Sequence, residues 1–354
     1  MKHLKLLSLC LALLMLIGIL PALQVSAVGV SSLNDMDALF LSKQVTMDGG
    51  GVMNYRLYIP ADYDPQKAYP VVLFLHGAGE RGNDNRKQLK AGIIEPFKQP
   101  NNPIYDCIVI APQCPADKQW VNTAGWTQSV YFSDEIAESE ELKAVLKIVS
   151  TVQQDYHTDP NRLYVTGLSM GGYGTWDLLV RHPELFAAAI PVCGGADPSK
   201  AERLLSIPIW TFHGLQDEKV PPAGTQQMAQ ALQDLGAQQF AFTPLPDMDH
   251  YIWSTVYATE GLFEWLTAQA KPQEPTESES DSESESESET ESETESASAQ
   301  ESESTPLPES ESLPQEPGKS NGNAPKAVFL AVGIVAAISV GAGGSLLLFR
   351  RKRT

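Results

Sequence analysis

The amino-acid sequence predicts an α/β protein with a doubly wound, mostly parallel sheet. Strand-like and helix-like segments alternate from residue 55 to residue 268, and this alternation is typical of successive β–α–β units. Several strand-like segments are apolar throughout, as in the YPVVLFL run of Tyr69–Leu75. Strands buried on both faces of a parallel sheet have this composition. In such a sheet, sites form at the carboxyl ends of the strands.

The predicted elements follow one another with short connections. The strands are extended apolar or alternating runs that end near turn residues, and they are Tyr55–Pro60, Tyr69–Leu75, Cys107–Ala111, Arg162–Thr166, Phe186–Cys193, Ile207–Phe212 and Phe240–Pro244. The helices have apolar residues at helical spacing, and they are Glu138–Tyr156, Gly172–Arg181, Pro222–Leu235 and Thr259–Ala268. Residues 28–270 are therefore expected to form one globular domain.

Residues 1–27 have the layout of a secretory signal peptide. Two lysines precede an apolar run from Leu6 to Leu20, and Pro21 and a Val-Ser-Ala sequence at 25–27 follow it. An uncleaved membrane anchor is the alternative. Pro21 and the small residues at the predicted cleavage site favour a cleaved signal.

The chain beyond residue 270 changes composition twice. Residues 271–325 are almost entirely Ser, Glu, Thr and Pro, with 16 acidic residues against 2 lysines, which predicts a disordered acidic stalk. Residues 326–349 are long and apolar enough for a transmembrane helix, since roughly 20 apolar residues span a bilayer. The basic tail at 350–354 places that end in the cytoplasm. We therefore expect a membrane-bound protein whose globular domain is extracellular, as on a Gram-positive bacterial surface.

One stretch of the stalk resembles a cell-wall sorting signal. Leu313–Gly318 reads Leu-Pro-Gln-Glu-Pro-Gly, which is similar to the Leu-Pro-x-Thr-Gly sequence that sortases cut. Glu316 and Pro317 replace the Thr-Gly pair at the cleaved bond. The sequence therefore favours simple membrane retention over wall attachment.

Charge and cysteine content narrow the classes of function. The globular region has 28 acidic and 16 basic residues, and this net charge of −12 argues against nucleic acid as a partner, because such binding depends on Lys and Arg at phosphates. Three cysteines remain after signal cleavage. A Cys107–Cys114 disulfide is one alternative for the first two, and Cys193 is expected in the core. The Cys and His spacings predict no metal site.

The sequence Gly-Leu-Ser-Met-Gly at 167–171 predicts a serine nucleophile. It follows a predicted strand and precedes a predicted helix, which is the setting of a nucleophile on a tight strand–turn–helix elbow. The backbone approaches itself closely there, so Gly167 and Gly171 suit the flanking positions. Ser169 is therefore the predicted nucleophile.

A serine nucleophile needs a base and an orienting carboxylate. In this architecture they follow the serine in the order acid, then histidine. Asp217 comes after the predicted strand Ile207–Phe212, and His250 comes 33 residues later, after one helix and one strand. Glu218 is the alternative acid. The other histidines suit the role less well, and His76 and His213, each followed by glycine after a strand, are expected to shape loops.

The developing negative charge on a substrate oxygen requires backbone N–H donors. The residue after the nucleophile, Met170, is expected to supply one donor. The His-Gly-Ala-Gly sequence at 76–79, after the first apolar strand, is expected to supply the other, from Ala78.

These motifs together resemble one branch of the α/β-hydrolases. The sequence Leu-Phe-Leu-His-Gly-Ala-Gly-Glu-Arg-Gly at 73–82, Ala-Pro-Gln-Cys-Pro at 111–115, the serine motif and His213-Gly214 with Asp217 are similar to the esterase and feruloyl-esterase-like (phospholipase/carboxylesterase) branch, near the prolyl oligopeptidase catalytic domain. The resemblance extends from Tyr55 to Leu266. It implies an α/β-hydrolase fold, a Ser169–Asp217–His250 triad and ester hydrolysis.

The expected function is therefore cofactor-free hydrolysis of carboxylic esters, with feruloyl or acetyl esters of polysaccharides as candidate substrates. Trp120, Trp126 and Trp253 are candidates for a substrate-binding wall, with core packing as the alternative for each. A serine peptidase of the prolyl oligopeptidase type uses the same triad and remains an alternative, as does a non-catalytic surface-binding protein on a hydrolase scaffold. The sequence does not indicate the oligomeric state.

Overall fold

Eight strands form one sheet in the computed structural model, which describes residues 30–272. In chain order the strands are β1 Phe40–Thr46, β2 Val52–Tyr58, β3 Tyr69–Leu75, β4 Ile108–Gln113, β5 Thr158–Leu168, β6 Ala188–Val192, β7 Ile209–Gly214 and β8 Phe240–Leu245. Their order across the sheet is β1-β2-β4-β3-β5-β6-β7-β8. The pairs β1–β2 and β2–β4 are antiparallel and the other five are parallel. The predicted mostly parallel α/β fold is confirmed.

Seven α-helices connect and flank these strands within residues 30–272. They are α1 Leu33–Leu39, α2 Ile94–Phe97, α3 Glu140–Asp155, α4 Met170–Arg181, α5 Ala223–Asp234, α6 Trp253–Tyr257 and α7 Leu262–Thr267. Four short 3-10 helices lie at Ala78–Glu80, Lys87–Leu89, Pro103–Asp106 and Pro198–Leu204. The longest helix, α3, begins at Ser139, whose side chain accepts a hydrogen bond from the N–H of Leu142 at 3.0 Å.

The apolar strand β3 shows how the sheet divides the core. Val71, Leu73 and Leu75 belong to one hydrophobic cluster, whereas Val72 and Phe74 belong to another. Successive side chains of a strand point to opposite faces, so the two clusters lie on the two sides of the sheet. This explains why the central strand is apolar at every position.

Two elements before the first predicted strand were not expected from the sequence. Helix α1 begins with a capping box, in which Ser32 and Asp35 satisfy each other's backbone N–H groups. Strand β1 pairs along its whole length with β2, but six of its seven residues are exposed or partly exposed and only Phe40 is fully buried. An edge strand of this kind has no apolar run to reveal it.

Other boundaries differ by a few residues, and two differences have clear causes. Strand β5 begins at Thr158 instead of Arg162, because Thr158 pairs with Tyr69 across a register shift. The predicted closing helix 259–268 is shorter than expected and begins at Leu262, since Gly261 takes a left-handed conformation with φ +80° at its start.

Several predictions concern residues outside 30–272. These are the signal peptide at 1–27, nearly all of the stalk at 271–325, the membrane span at 326–349 and the basic tail at 350–354. Within 30–272, none of the helices has the length and apolar character needed to cross a bilayer. In the same region Cys107, Cys114 and Cys193 are all buried free thiols, so the Cys107–Cys114 disulfide does not form in this structure.

Candidate active site

Ser169 lies on a sharp turn between strand β5 and helix α4. Its backbone has φ 56° and ψ −118°, a conformation that side-chain-bearing residues rarely adopt. A β-carbon on Gly171 would lie 1.9 Å from the carbonyl oxygen of Leu75, and one on Gly167 would lie 2.4 Å from that of Gly171. Only glycine fits at these two positions. The predicted strand–turn–helix geometry is therefore present around Ser169.

Three side chains that are far apart in sequence meet at this turn. Asp217 lies in the turn after β7, and His250 lies in the loop after β8. The Ser169 Oγ is 2.8 Å from His250 Nε2, and His250 Nδ1 is 2.6 Å from Asp217 Oδ2. All three residues are at least nine-tenths buried. The side chains form one continuous chain of hydrogen bonds from carboxylate to hydroxyl.

The Asp217 carboxylate is held by donors on both oxygens. Its Oδ1 accepts the backbone N–H groups of Lys219 and Val220, each at 2.9 Å. Burial alone raises the pKa of Asp217, but hydrogen bonds from His213, His250 and Val220 outweigh it, so the pKa lies well below the usual value. The ionised Asp217 can only accept, and this places the proton of His250 on Nδ1. The free electron pair of His250 Nε2 then faces the serine hydroxyl.

The two predicted oxyanion donors, Met170 and Ala78, both belong to segments that adjoin the Ser169 pocket. Met170 is the first residue of α4, so its N–H has no acceptor within the helix. Ala78 begins the 3-10 helix that follows β3, and it lines the same pocket as Ser169. Arg81 fixes this turn by donating from Nε to the carbonyl oxygen of Ala78 at 2.9 Å.

The pocket above Ser169 has a volume of about 230 Å³. Two of the three predicted tryptophans, Trp126 and Trp253, contribute to its wall. The ring of Trp253 packs edge-on against His250, with centroids 5.7 Å apart. The guanidinium of Arg81 lies 5.5 Å from the centroid of the Trp126 ring, an arrangement that holds the indole in place.

The third predicted tryptophan has a different position. Trp120 is fully buried and does not line the pocket. Its indole N–H donates to the carbonyl oxygen of His76 at 3.0 Å. The proposed substrate contact for Trp120 is therefore replaced by a packing role, in which it supports the strand end that leads to Ala78.

Comparison with known proteins places the site in a family. Residues 62–259, more than half of the chain, match the model of the phospholipase/carboxylesterase family of α/β-hydrolases. The chain belongs to this family. The resemblance found in the motifs is confirmed, and the matched region contains every residue of the site described above.

Three individual proteins illustrate what the chain is similar to. A crystal structure of a thermostable esterase is 37% identical, covers 66% of this chain and 64% of its own, and superposes with a TM-score of 0.60. A probable feruloyl esterase C from Aspergillus terreus is 27% identical over 53% of this chain and 64% of its own length. The poly(3-hydroxyalkanoate) depolymerase C of Paucimonas lemoignei is 36% identical over 16% of this chain and 13% of its own. The chain thus spans less than two thirds of the curated relatives it matches.

Two residues at the rim of the pocket were missed by sequence reasoning. Tyr251 is 58% exposed, and the Lys219 ammonium lies 5.6 Å from the centroid of its ring. Both line the pocket. Their proximity in sequence to the triad could have marked them as pocket residues, because Tyr251 directly follows His250 and Lys219 is two residues from Asp217.

A possible metal-ligand set overlaps the hydrogen-bonded chain. The ligand atoms of Cys193, Asp217 and His250 lie within 4.8 Å of one another. Burial raises the pKa of the Cys193 thiol, whereas a metal requires the thiolate. The His250 Nδ1 is also bonded to Asp217. The chemistry of these groups as arranged here suits proton transfer better than metal binding.

Proposed function

We propose that this protein hydrolyses carboxylic esters through an acyl-enzyme on Ser169, with His250 as general base and Asp217 as its orienting carboxylate. The continuous hydrogen-bond chain between these three side chains, at 2.8 Å and 2.6 Å, is the observation that carries the proposal. Membership of the phospholipase/carboxylesterase family supports the choice of an ester as the substrate.

The proposed reaction has two steps. His250 Nε2 takes the hydroxyl proton as Ser169 Oγ bonds to the ester carbonyl carbon, and the resulting imidazolium is stabilised by Asp217. The carbonyl oxygen, now negative, accepts hydrogen bonds from the N–H groups of Met170 and Ala78. The alcohol leaves with the proton from His250. Water then attacks the acyl-enzyme with the same proton transfers, which releases the acid and restores Ser169.

The substrate we propose is a feruloyl or acetyl ester on a polysaccharide. One similar protein is named a probable feruloyl esterase and another a bifunctional acetylxylan esterase/xylanase. The aromatic side chains of Trp126, Trp253 and Tyr251 around the pocket provide flat apolar surface for an aromatic acyl group.

We also propose that the enzyme works outside the cell and remains bound to the membrane. The support comes from residues 1–27 and 271–354, whose sequence has the pattern of a signal peptide, an acidic stalk, an apolar span and a basic tail. Protease added to intact cells should remove the hydrolase domain and leave the basic tail protected. Complete protection of the domain would contradict this location.

A fluorophosphonate probe tests the catalytic proposal directly. The full-length protein in detergent should become covalently labelled, and Ser169→Ala should abolish labelling and ester hydrolysis. Ser150→Ala is a matched control, because Ser150 is an exposed serine on α3, and it should label like the parent. An unlabelled parent protein would show that Ser169 is not an activated nucleophile.

Substrate classes can then be separated with one panel. Feruloyl, acetyl-xylan and p-nitrophenyl esters should be hydrolysed in preference to peptide amides by the unmodified enzyme. A preference for peptide amides would support a peptidase of the prolyl oligopeptidase type. Labelling without turnover of any ester would contradict the ester assignment while leaving the nucleophile intact.

A further inference from the structure

A second histidine contacts the carboxylate that orients His250. His213 lies near the end of β7 and is fully buried. Its Nε2 is 3.3 Å from Asp217 Oδ2, the same oxygen that lies 2.6 Å from His250 Nδ1. Because backbone N–H groups occupy Oδ1, the two imidazoles share the remaining oxygen. The side chains are therefore arranged as His213, Asp217, His250 and Ser169 in series.

The hydrogen-bond partners of His213 determine which ring nitrogen carries its proton. Nε2 lies 2.9 Å from the carbonyl oxygen of Val220 as well as 3.3 Å from Asp217 Oδ2. Both atoms are acceptors, so Nε2 must be protonated. Val220 is the nearer acceptor, and the Asp217 oxygen is a second and longer contact of the same nitrogen.

The other nitrogen of His213 faces the hydroxyl of Thr225, whose single proton has two acceptors within reach. The Thr225 Oγ1 lies 2.8 Å from His213 Nδ1 and 3.1 Å from the carbonyl oxygen of Gly194. When the ring is neutral, the Thr225 hydroxyl donates to Nδ1. The fold thereby holds His213 as a donor toward Asp217, with its ring fixed at both nitrogens.

Few titratable groups surround the shared oxygen. His213 on β7 and His250 in the loop after β8 both face the Asp217 carboxylate. The Cys193 thiol, which follows β6, has its sulfur within 4.8 Å of that carboxylate. Burial raises the pKa of the Tyr173 phenol on α4, and the nearby charge of Asp217 raises it further. Of these groups, His213 and His250 are the two that place a ring N–H on the oxygen.

We infer that His213 is a positioning residue that shares the Asp217 carboxylate with His250 and so limits how strongly that carboxylate favours the protonated form of His250. This inference rests on the proposed catalytic role of the triad. A donor that stabilises an anion reduces its pull on a neighbouring proton. With His213 in place, the Asp217 carboxylate stays ionised and orients His250. His250 Nε2 then remains free to act as base at a lower pH than it would without the His213 donor.

Two amide substitutions of His213 separate this role from simple packing. His213→Gln can place its amide nitrogen near the position of Nε2 and keep the donor to Asp217. His213→Asn is one methylene shorter, so it can contact Thr225 but cannot reach Asp217. We expect the Asn variant to lose roughly 10-fold in kcat, with KM within about 2-fold, which is the size of a weak hydrogen bond to a charged group. The acid limb of its kcat/KM profile should move to higher pH.

The Gln variant should recover most of kcat and return the acid limb to its original position. A purely structural role would lower thermal stability in both variants and leave the acid limb unmoved, and that result would overturn the inference. If the Asn variant does not fold, His213→Met, which also lacks a donor, replaces it with the same expectation. Fluorophosphonate labelling of a separate sample of the parent tests the proposed function independently. If the parent can be labelled and the acid limb of the Asn variant is unmoved, only the role of His213 is refuted.

Discussion

The same dipeptide, His-Gly, occurs at two places in the active-site edge of the sheet. His76-Gly77 directly follows β3 and leads into the turn that carries Ala78, and we call residues 76–80 the oxyanion loop. His213-Gly214 ends β7 and leads to Asp217, which we call the acid turn, residues 213–217. Both rings are fully buried, and both lie at carboxyl ends of parallel strands, where sites form.

The two rings nevertheless have different partners. His76 bonds only to main chain, since its Nε2 accepts from the N–H of Cys114 at 2.9 Å and its Nδ1 donates to the carbonyl oxygen of Gly77 at 2.6 Å. His213 reaches a side chain of the candidate triad, Asp217. In both places the dipeptide puts a buried imidazole at the end of a strand. Of the two rings, His213 is the one that also contacts a member of the candidate triad, because the turn after β7 brings Asp217 beside it.

The two glycines differ in the same way. A β-carbon on Gly214 would lie 2.1 Å from the carbonyl oxygen of Asp249 and 2.5 Å from that of Met248. Those atoms belong to the backbone that carries His250. A β-carbon on Gly77 would meet side-chain ends instead, the nearest being Leu168 Cδ1 at 2.8 Å. The acid turn is thus packed against main chain, whereas the oxyanion loop is packed against side chains that can rotate.

Alanine at the two glycines gives the largest expected contrast. Gly214→Ala must push the His250 loop away from Asp217, and a displacement of about 1 Å in a catalytic group costs on the order of 100-fold in rate. Gly77→Ala meets the ends of the Leu168 and Glu80 side chains, at 2.8 Å and 3.1 Å, and no backbone atom, so it should reduce kcat/KM by less than about 10-fold. The measurement is kcat/KM on a p-nitrophenyl ester for both variants, with circular dichroism to confirm folding. Equal losses in two folded variants would contradict the proposed difference in packing.

The second expected effect concerns stability at acid pH and belongs to His76. Burial lowers the pKa of His76 to about 4, from an ordinary value of 6.5. Between these values the unfolded chain binds a proton that the folded chain excludes, so stability is lost as pH falls through this window and is fully present above it. The loss due to His76 should be about 2 kcal/mol between pH 7 and pH 5.

His76→Gln removes the titration and should flatten this part of the pH dependence of the unfolding free energy. Urea unfolding at pH 7 and pH 5 measures it. His157→Gln provides the matched control, because His157 is exposed, and it should leave the dependence unchanged. The depressed pKa of Asp217 acts at lower pH with the same sign in every variant, so the difference between parent and His76→Gln isolates His76. An identical slope in both proteins would show that His76 does not resist protonation.

Most of the sheet and the three members of the candidate triad could be predicted from the sequence. Their patterns are either contained in a short stretch of chain or follow a fixed order along it. Apolar runs marked the buried strands, and the Gly-x-Ser-x-Gly motif marked a turn whose tight backbone leaves space only for glycine. The order of acid and histidine after the serine then selected Asp217 and His250. No comparable local pattern marks β1, whose side chains are mostly exposed.

Features that depend on three-dimensional packing were not available from the sequence. Three tryptophans had equal standing as candidates, and only the fold separates buried Trp120 from Trp126 and Trp253 in the pocket wall. His213 was expected only to shape its loop. Its contact with Asp217, four residues later, requires a turn that brings ring and carboxylate together, and residue spacing outside a helix does not fix that geometry.

The smallest expected effects come from the two pocket tryptophans, which extend the comparison to the substrate side. Trp126 lies beside Arg81 near the oxyanion loop, and the rings that pack on His250 are those of Tyr251 and Trp253. Trp126→Ala should therefore raise KM for a feruloyl ester by roughly 3- to 10-fold with kcat nearly unchanged. That range corresponds to one aromatic contact of about 0.5–1.5 kcal/mol.

Trp253 packs on His250 at 5.7 Å, so Trp253→Ala should lower kcat as well, because the imidazole loses a neighbour that restricts its position. Steady-state kinetics with feruloyl and acetyl esters measure both, and the KM effect of Trp126→Ala should be absent with the acetyl ester. A loss of kcat without a change in KM in Trp126→Ala would show that this indole acts on the oxyanion loop through Arg81 and not on the acyl group.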